Sequence, residues 1–157
     1  EIHNDSAWKA SPLPEYPLMI TACMPCEDFT REAGPTKVIP KSHLHRRQPY
    51  PDEMIKEDGA IPILCKKGSL VFWLGSTWHG NYPRVSQGKR VVLHISFSRL
   101  MMRPIENYDY LDEEWLKDKP KSIRTMLGRE DFLGTSTEYS GGTDRSKIIK
   151  TFNQSLS

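Results

Sequence analysis

The chain has 157 residues, of which 22 are lysine or arginine and 20 are aspartate or glutamate, so its formal net charge is +2. Hydrophobic residues make up 37% of it and aromatic residues 10%, which supports a packed core and excludes a disordered polyelectrolyte. The length fits one domain, and the balanced charge gives no cationic field with which to bind a nucleic acid.

The sequence predicts an intracellular, cytoplasmic protein with reduced thiols. No apolar stretch approaches the roughly 20 residues that a membrane span needs. The opening segment Glu1–Asp5 is polar, unlike a signal peptide. The three cysteines are an odd number and cannot all pair within the chain. We therefore expect neither a membrane span nor a disulfide framework.

The first 90 residues predict short strands separated by turns. Prolines and glycines punctuate this region, a pattern that favours strands of four to six residues over long helices. Runs rich in β-branched, apolar or aromatic residues lie between these breakers. They are Leu18–Cys23, Thr36–Ile39, Ile61–Cys65 and Ser69–Leu74.

The strand prediction is clearest over Arg90–Ser98, where every second residue is apolar. One face of this strand carries Arg90 and His94. After Pro104 the composition shifts, and Leu111–Lys117 and Ser122–Leu127 predict short helices, with Gly128 as a C-terminal stop. Residues 134–157 open with a stretch rich in Ser, Thr and Gly, and we expect a surface or partly disordered extension there.

His3 and Asp5 form an H-x-D triplet, whose two side chains point to the same side of an extended segment. A third metal ligand is available at His79, which follows the apolar strand near Gly75. Two histidines and a carboxylate on one face form the facial triad of non-haem Fe(II) oxygenases, which leaves coordination positions open. Arg90, eleven residues after His79, provides a guanidinium that can hold a distant carboxylate.

These motifs together resemble the phytanoyl-CoA dioxygenase (PhyH-like) family of Fe(II)/2-oxoglutarate-dependent oxygenases. The resemblance rests on the triplet at His3 and Asp5, the segment Asp28–His43, the Trp-His-Gly at residues 78–80, and Arg90, all in the family's order. It covers roughly residues 1–128 and implies that His3, Asp5 and His79 bind iron. It also implies that Arg90 binds the C5 carboxylate of 2-oxoglutarate, with Asn81 nearby.

The resemblance implies a mainly β fold, a double-stranded β-helix (jelly roll, cupin-like) with peripheral helices. His3 and Asp5 would lie at one strand's edge and His79 on a distant strand. The implied reaction hydroxylates a C–H bond of a small-molecule substrate with O2, releasing succinate and CO2. Because Asp5 is present, the resemblance favours hydroxylation over halogenation.

Three residues depart from the family's pattern. Lys41 stands where the family commonly has Gly, Cys23 where it has an aromatic residue, and Arg84 where it has Asn. The metal triad is unaffected, whereas the pockets for co-substrate and substrate are expected to differ in shape. His94 is expected to form a pocket wall or to be a core histidine, too far along its strand to bind the metal.

Two other functions stay open. A jelly-roll module can keep this pattern without catalysis. A structural zinc domain could use Cys23 and Cys26 with His43 and His45, although Cys23 lies in an apolar strand, where a free cysteine behaves as a small hydrophobic residue.

Finally, the family has a substantial portion before the H-x-D triplet. We therefore expect residues 1–133 to be the C-terminal portion of a jelly-roll domain that lacks its N-terminal part, with residues 134–157 as an extension.

Overall fold

The computed structural model describes residues 1–6, 9–99, 102, 108 and 110–127. The chain divides into two compact units, Glu1–Arg99 and Leu100–Ser157. The described residues of the first unit form six strands and one α-helix. In chain order they are β1 (Met19–Pro25), β2 (Thr36–Val38), α1 (Pro51–Lys56), β3 (Ile61–Pro62), β4 (Val71–Leu74), β5 (His79–Asn81) and β6 (Val92–Ser98).

The six strands form two antiparallel sheets of three strands each. The first sheet has the order β4-β1-β6 and the second the order β3-β2-β5. Side chains from the two sheets meet in the interior, where the ring of Trp73 on β4 lies 5.2 Å from the ring of His79 on β5. This is the predicted mainly β, jelly-roll architecture, which confirms the expected fold class.

The interior face of the first sheet carries the core next to the site. In the register of the sheet, Thr21 pairs with Trp73 and Cys23 pairs with both Val71 and His94. Cys23, Trp73 and Phe29 are buried and form one hydrophobic cluster. Because side chains alternate along a strand, Thr21 and Cys23 point to the same side, the side that faces the second sheet.

The opposite face of the first sheet is apolar and exposed. The alternation predicted for Arg90–Ser98 is present, but its apolar side chains lie on this outer face. Five large apolar residues on it are between 37% and 57% exposed: Ile20, Phe72, Leu93, Ile95 and Phe97. The alternation of apolar residues therefore predicts strand β6 correctly, but it does not show which face of the strand is buried.

The predicted strands are all present, with shifted ends. β6 begins at Val92 rather than at Arg90, and β3 contains only Ile61–Pro62, with Cys65 joined to Phe29 by an isolated bridge. The sequence did not predict α1, which is only six residues long, or the separate strand β5. Such short elements carry too little periodicity to be recognised.

In the second unit, two short helices confirm the helical prediction. They are α2 (Glu113–Lys117) and α3 (Lys121–Met126). Asp112 caps α2, because its side chain accepts a hydrogen bond from the backbone N–H of Glu114 at 2.9 Å. The predicted stop at Gly128 and the predicted extension over residues 134–157 lie outside the described residues. No helix in the described part of the chain is long and apolar enough to cross a membrane.

The segment between β2 and α1 contains a left-handed residue at Lys41, whose φ is 64°. Lys41 precedes a 3-10 helix over Ser42–His45, the turn expected around His43. A residue with a Cβ pays about 1–2 kcal/mol in this conformation, and glycine does not. The departure from the family's glycine at this position is therefore a local cost to the backbone of the folded state.

We predict that Lys41→Gly raises the free energy of unfolding by about 0.5–1 kcal/mol, because the relief of steric strain exceeds the added backbone entropy of glycine in the unfolded chain. Urea unfolding followed by circular dichroism measures the change. Lys67→Gly is the matched control, since Lys67 is exposed and does not have a positive φ. That variant should lose stability, and a Lys41→Gly protein that also loses stability would contradict the prediction.

Candidate metal centre

Three side chains that were predicted as metal ligands converge at one point. The ligand atoms of His3, Asp5 and His79 all lie within 4.8 Å of one another. Within the described ranges, no other group of at least three His, Cys, Asp or Glu side chains comes together in this way. His79 is buried, Asp5 is partly buried and His3 is exposed, so the group lies where a buried site opens to solvent.

Backbone pairing brings the two histidines together. The N–H of His3 donates to the carbonyl of His79 at 2.9 Å, and the N–H of His79 donates to the carbonyl of His3 at 2.8 Å. A third bond runs from the N–H of Asp5 to the carbonyl of Gly75 at 2.8 Å. The expectation that His79 lies on a distant strand is therefore wrong, because residue 3 pairs directly with β5 in an antiparallel bridge.

Gly80 makes this close pairing possible. A Cβ at residue 80 would lie 2.7 Å from the carbonyl oxygen of Glu1, closer than real Cβ contacts. The glycine next to His79 thus admits the backbone of residues 1–3 alongside β5. The Trp-His-Gly order of residues 78–80 has a steric reason as well as a chemical one.

Hydrogen bonds fix which atoms face the common point. Nε2 of His79 lies 3.4 Å from Oδ1 of Asp5, and Nε2 of His3 lies 3.8 Å from the same oxygen. The other carboxylate oxygen, Oδ2, accepts a hydrogen bond from the Thr21 hydroxyl at 3.1 Å. Nδ1 of His79 lies 3.0 Å from the carbonyl of Thr77. Since a carbonyl can only accept, Nδ1 carries a proton, and Nε2 is the nitrogen that a metal can bind once its own proton is lost.

The charges of the three groups are coupled. Burial opposes ionisation of Asp5, but hydrogen bonds from His79 and Thr21 outweigh it and lower the pKa of Asp5. Burial also disfavours a charged His79, yet its bonds to Asp5 and Thr77 prevail and raise the pKa of His79. For His3, burial and then the charge of His79 lower the pKa. The centre therefore presents a carboxylate and a neutral imidazole, and a metal ion competes with a proton for His79.

The donor set fits a divalent iron ion. Two imidazole nitrogens and one carboxylate oxygen form the 2-His-1-carboxylate set, which differs from the thiolate-rich sets of structural zinc sites. The carboxylate of Asp5 and the imidazole of His79 each make a hydrogen bond through their outer atom, as is typical of metal-binding histidines and carboxylates.

Arg90 and Asn81 make hydrogen bonds to residues other than the triad. Arg90 stands two residues before β6, in the alternation that also places His94, and one of its Nη atoms donates to the carbonyl of Gly34. Asn81 ends β5 two residues after His79, on the same face of that strand, and its Oδ1 accepts a hydrogen bond from the Thr36 hydroxyl at 3.3 Å. Arg90 keeps further N–H donors beyond the one that Gly34 receives.

His94 lies near the triad but not in it. It is exposed, so the expectation that it could be a core histidine is wrong. Its ring meets the ring of Trp73 edge-on at 5.6 Å, and Trp73 in turn contacts His79. Partial desolvation of the ring, and then the charge of His79, lower the pKa of His94. Trp73 and His94 thus form one wall beside the triad.

The four residues of the alternative zinc site do not come together. Cys23 is buried in the core, and burial, with smaller effects from Cys65 and Cys26, raises the pKa of Cys23 to about 11. A thiol that keeps its proton is a poor metal ligand. His45 is exposed and stacks on Trp78, with ring centroids 4.7 Å apart. All three cysteines, Cys23, Cys26 and Cys65, are free, as expected.

Comparison with known proteins relates the sequence to one family. The family model of phytanoyl-CoA dioxygenase (PhyH) matches residues 2–92, more than half of the chain. Dioxygenase andF of Emericella variicolor is 30% identical over 133 residues, which cover 81% of this chain and 45% of that protein. Dioxygenase cdmD of Talaromyces verruculosus is 27% identical over 115 residues, covering 73% and 36%. The chain spans less than half the length of these relatives.

Two solved structures share the fold. The crystal structure of EvdMO1 matches with a TM-score of 0.53 and 21% identity, over 64% of this chain and 23% of that one. EctD from S. alaskensis, solved with 2-oxoglutarate and 5-hydroxyectoine, matches with a TM-score of 0.50 and 18% identity, over 62% of this chain and 37% of that one. At 21% and 18% sequence identity, these similarities show a shared fold alone.

The hydrogen bond from Thr21 to Asp5 was not predicted from the sequence, and it yields a test. We predict that Thr21→Val weakens the binding of a divalent metal such as Co(II) by about tenfold, because outer hydrogen bonds to metal ligands typically contribute 10–100-fold in affinity. Valine keeps the shape of threonine and removes only the donor. Anaerobic titration followed by calorimetry measures the affinity.

Thr77→Val is the matched control, because Thr77 acts on His79 through its backbone carbonyl, which the substitution retains. Its affinity should stay within about twofold of the unsubstituted protein, well below the change expected for Thr21→Val. Equal affinities for all three proteins would show that the Thr21 hydroxyl does not support the carboxylate.

Proposed function

The chain belongs to the phytanoyl-CoA dioxygenase family, and from this we propose that it is an Fe(II)- and 2-oxoglutarate-dependent dioxygenase that hydroxylates a C–H bond of a small organic substrate. One observation carries the proposal: the ligand atoms of His3, Asp5 and His79 converge within 4.8 Å, with the outer atoms of Asp5 and His79 already hydrogen-bonded. The names of the relatives as dioxygenases support the same reaction class.

In this proposal, Nε2 of His3, Oδ1 of Asp5 and Nε2 of His79 hold the iron. When bound, Fe(II) and 2-oxoglutarate supply the oxidising chemistry: O2 is consumed, one oxygen atom enters the substrate as hydroxyl, and the other enters succinate as CO2 is released. The protein contributes position and protonation. Thr77 keeps the proton of His79 on Nδ1, and Thr21 keeps Oδ2 of Asp5 occupied, so that one carboxylate oxygen faces the metal.

Arg90 is proposed to bind the C5 carboxylate of 2-oxoglutarate. Its guanidinium is charged at every working pH and offers a planar pair of donors that matches a carboxylate. Its bond to the carbonyl of Gly34 fixes one end of the fork, which reduces the conformational entropy lost on binding the co-substrate. Asn81, on the same face as His79, is proposed to contribute a polar contact near that carboxylate.

Asp5 also bears on which reaction follows. A carboxylate at this position occupies the coordination site that the related halogenases leave to chloride, so hydroxylation is the proposed outcome. Trp73 and His94 are proposed to border the substrate, with Trp73 limiting the access of water from the core side. The substrate itself is a small organic molecule with an accessible C–H bond.

The alternative functions lack a supporting observation. The zinc hypothesis needs Cys23, Cys26, His43 and His45 in one place, and they are not gathered there. A non-catalytic jelly-roll module has no need for three converging ligands, two of which have their outer atoms hydrogen-bonded. We therefore carry the oxygenase hypothesis to experiment.

We predict that the protein, given Fe(II) and 2-oxoglutarate without oxygen, develops a weak visible absorption band from charge transfer between metal and co-substrate. His79→Ala should abolish the band, because two protein ligands no longer form the triad. Arg90→Gln should keep Fe(II) binding and raise the 2-oxoglutarate concentration needed for half of the band by about tenfold or more, since a charge-assisted bidentate contact is lost.

Cys23→Ala serves as the control that separates the oxygenase from the zinc domain. In the oxygenase the band should persist in this variant, while the loss of the buried Cys23 side chain lowers the stability of the protein. If Cys23→Ala removes the bound metal and His79→Ala does not, the zinc domain is correct. If the unsubstituted protein binds neither Fe(II) nor 2-oxoglutarate, the proposed function is wrong.

A further inference from the structure

One segment outside the triad touches both parts of the chain that carry ligands. It comprises residues 42–48, from the 3-10 helix at Ser42 to Gln48, and we call it the 42–48 bracket. One of the ligand-bearing parts contains Asn4, which lies between His3 and Asp5. The other contains Trp78, which precedes His79.

The contacts with Asn4 are unusually complete. The backbone N–H of Asn4 donates to Oε1 of Gln48 at 3.0 Å, and Nε2 of Gln48 lies 2.9 Å from the carbonyl of Asn4 and 2.7 Å from its Oδ1. Nδ2 of Asn4 donates to the carbonyl of Arg47 at 2.9 Å. Asn4 is 1% exposed, so these bonds replace water at every polar atom named.

The contacts with Trp78 come from the same bracket. The hydroxyl of Ser42 accepts a hydrogen bond from the backbone N–H of Trp78 at 2.7 Å. The carbonyl of Arg47 accepts one from Nε1 of Trp78 at 2.8 Å. Trp78 is 3% exposed, so its position depends on these buried bonds.

The carbonyl of Arg47 therefore joins the two ligand-bearing parts at a single atom. A carbonyl oxygen has two lone pairs, and here Asn4 and Trp78 use one each. The side chain of Arg47 is itself held, with both Nη atoms bonded to the Glu53 carboxylate at 2.6 and 2.9 Å and its guanidinium 3.9 Å from the ring of Tyr50. The bracket is thus anchored on α1 and is not free to follow the triad.

We propose that the 42–48 bracket positions the metal ligands, with Gln48 as the positioning residue for His3 and Asp5. The proposal rests on the proposed function, because it assumes that the triad holds iron. The hydrogen bonds of the Gln48 side chain go to Asn4. It acts through Asn4, whose backbone determines where the side chains on either side of it begin.

The test compares Gln48→Met with Gln87→Met. Methionine has nearly the length of glutamine and keeps its packing, but it makes none of the three bonds to Asn4. Gln87 is exposed. Among the described residues, no hydrogen bond joins its side chain to the segments that carry His3, Asp5 and His79, so the same change there is a matched control. Metal-free protein is titrated anaerobically with Fe(II), and the visible d–d spectrum of the Co(II)-loaded protein reports coordination geometry.

If the bracket positions the ligands, Gln48→Met binds Fe(II) about 10–100-fold more weakly and its Co(II) spectrum changes, while Gln87→Met matches the unsubstituted protein on both measures. Should Gln48→Met bind Fe(II) within twofold of the unsubstituted protein and give the same Co(II) spectrum, the proposal is overturned. A protein that binds no Fe(II) even without substitution refutes the proposed function instead, so the two failures are distinguishable.

Should Gln48→Met fail to unfold cooperatively, Trp78→Phe decides the question by the same two measurements. This change removes only the Nε1 donor to the carbonyl of Arg47 and keeps an aromatic ring against His45. A Trp78→Phe protein with unchanged affinity and spectrum overturns the proposal, and a weakened affinity with a changed spectrum supports it.

Discussion

The carboxylate of Asp5 is the group on which the geometry of the candidate metal centre depends. Two imidazoles lie with their ring centroids only 4.5 Å apart, and each would oppose a positive charge on the other. Oδ1 of Asp5 lies between them, at 3.4 and 3.8 Å from the two Nε2 atoms. Its negative charge offsets that repulsion before any metal binds, so the folded protein can hold the three groups at coordinating range.

The ligands are supplied by two kinds of constraint. His3 and Asp5 are two residues apart; His3 pairs with β5, and Asp5 lies in the turn that follows, where its N–H donates to the carbonyl of Gly75. His79 is brought to the centre by backbone pairing with residue 3. This pairing requires a glycine at residue 80, because a Cβ there would be too close to the carbonyl oxygen of Glu1. Side-chain hydrogen bonds then decide which atom of each ligand faces inward. The centre is therefore specified first by strand pairing and only afterwards by its own chemistry.

Strand periodicity and turn residues are local, and they were sufficient to predict a mainly β chain. The jelly roll was implied by the resemblance to the family, and the three residues that the structure brings together were indicated by the H-x-D triplet and Trp-His-Gly. The supporting residues could not be recognised in the same way. Thr21 was one member of an apolar strand, Asn4 was the unspecified residue of H-x-D, and Gln48 followed two arginines without any motif. Their roles come from contacts between residues distant in the sequence.

Burial was the other property that pattern alone could not supply. The alternation at Leu93, Ile95 and Phe97 has the form of a strand with a buried face, yet these residues lie on the exposed face of the first sheet. An alternating pattern shows which side chains share a face of the strand. Only the tertiary structure shows whether another part of the protein covers that face. The backbone angle at Lys41 gives the physical meaning of a departure from the family pattern. Its φ is positive, and a positive φ favours the glycine that the family commonly has there.

The long sequence separation between the H-x-D triplet and His79 links metal binding to folding. In the unfolded chain, His3 and Asp5 are neighbours, but His79 can join them only if a long loop closes, which costs conformational entropy. In the folded protein, strand pairing already holds the three residues together. Metal therefore binds the folded state far better than the unfolded one. At a free metal concentration one hundred times the dissociation constant, this preference adds about 2.7 kcal/mol to stability. A metal ion held by all three groups would therefore stabilise the folded chain in addition to completing the centre.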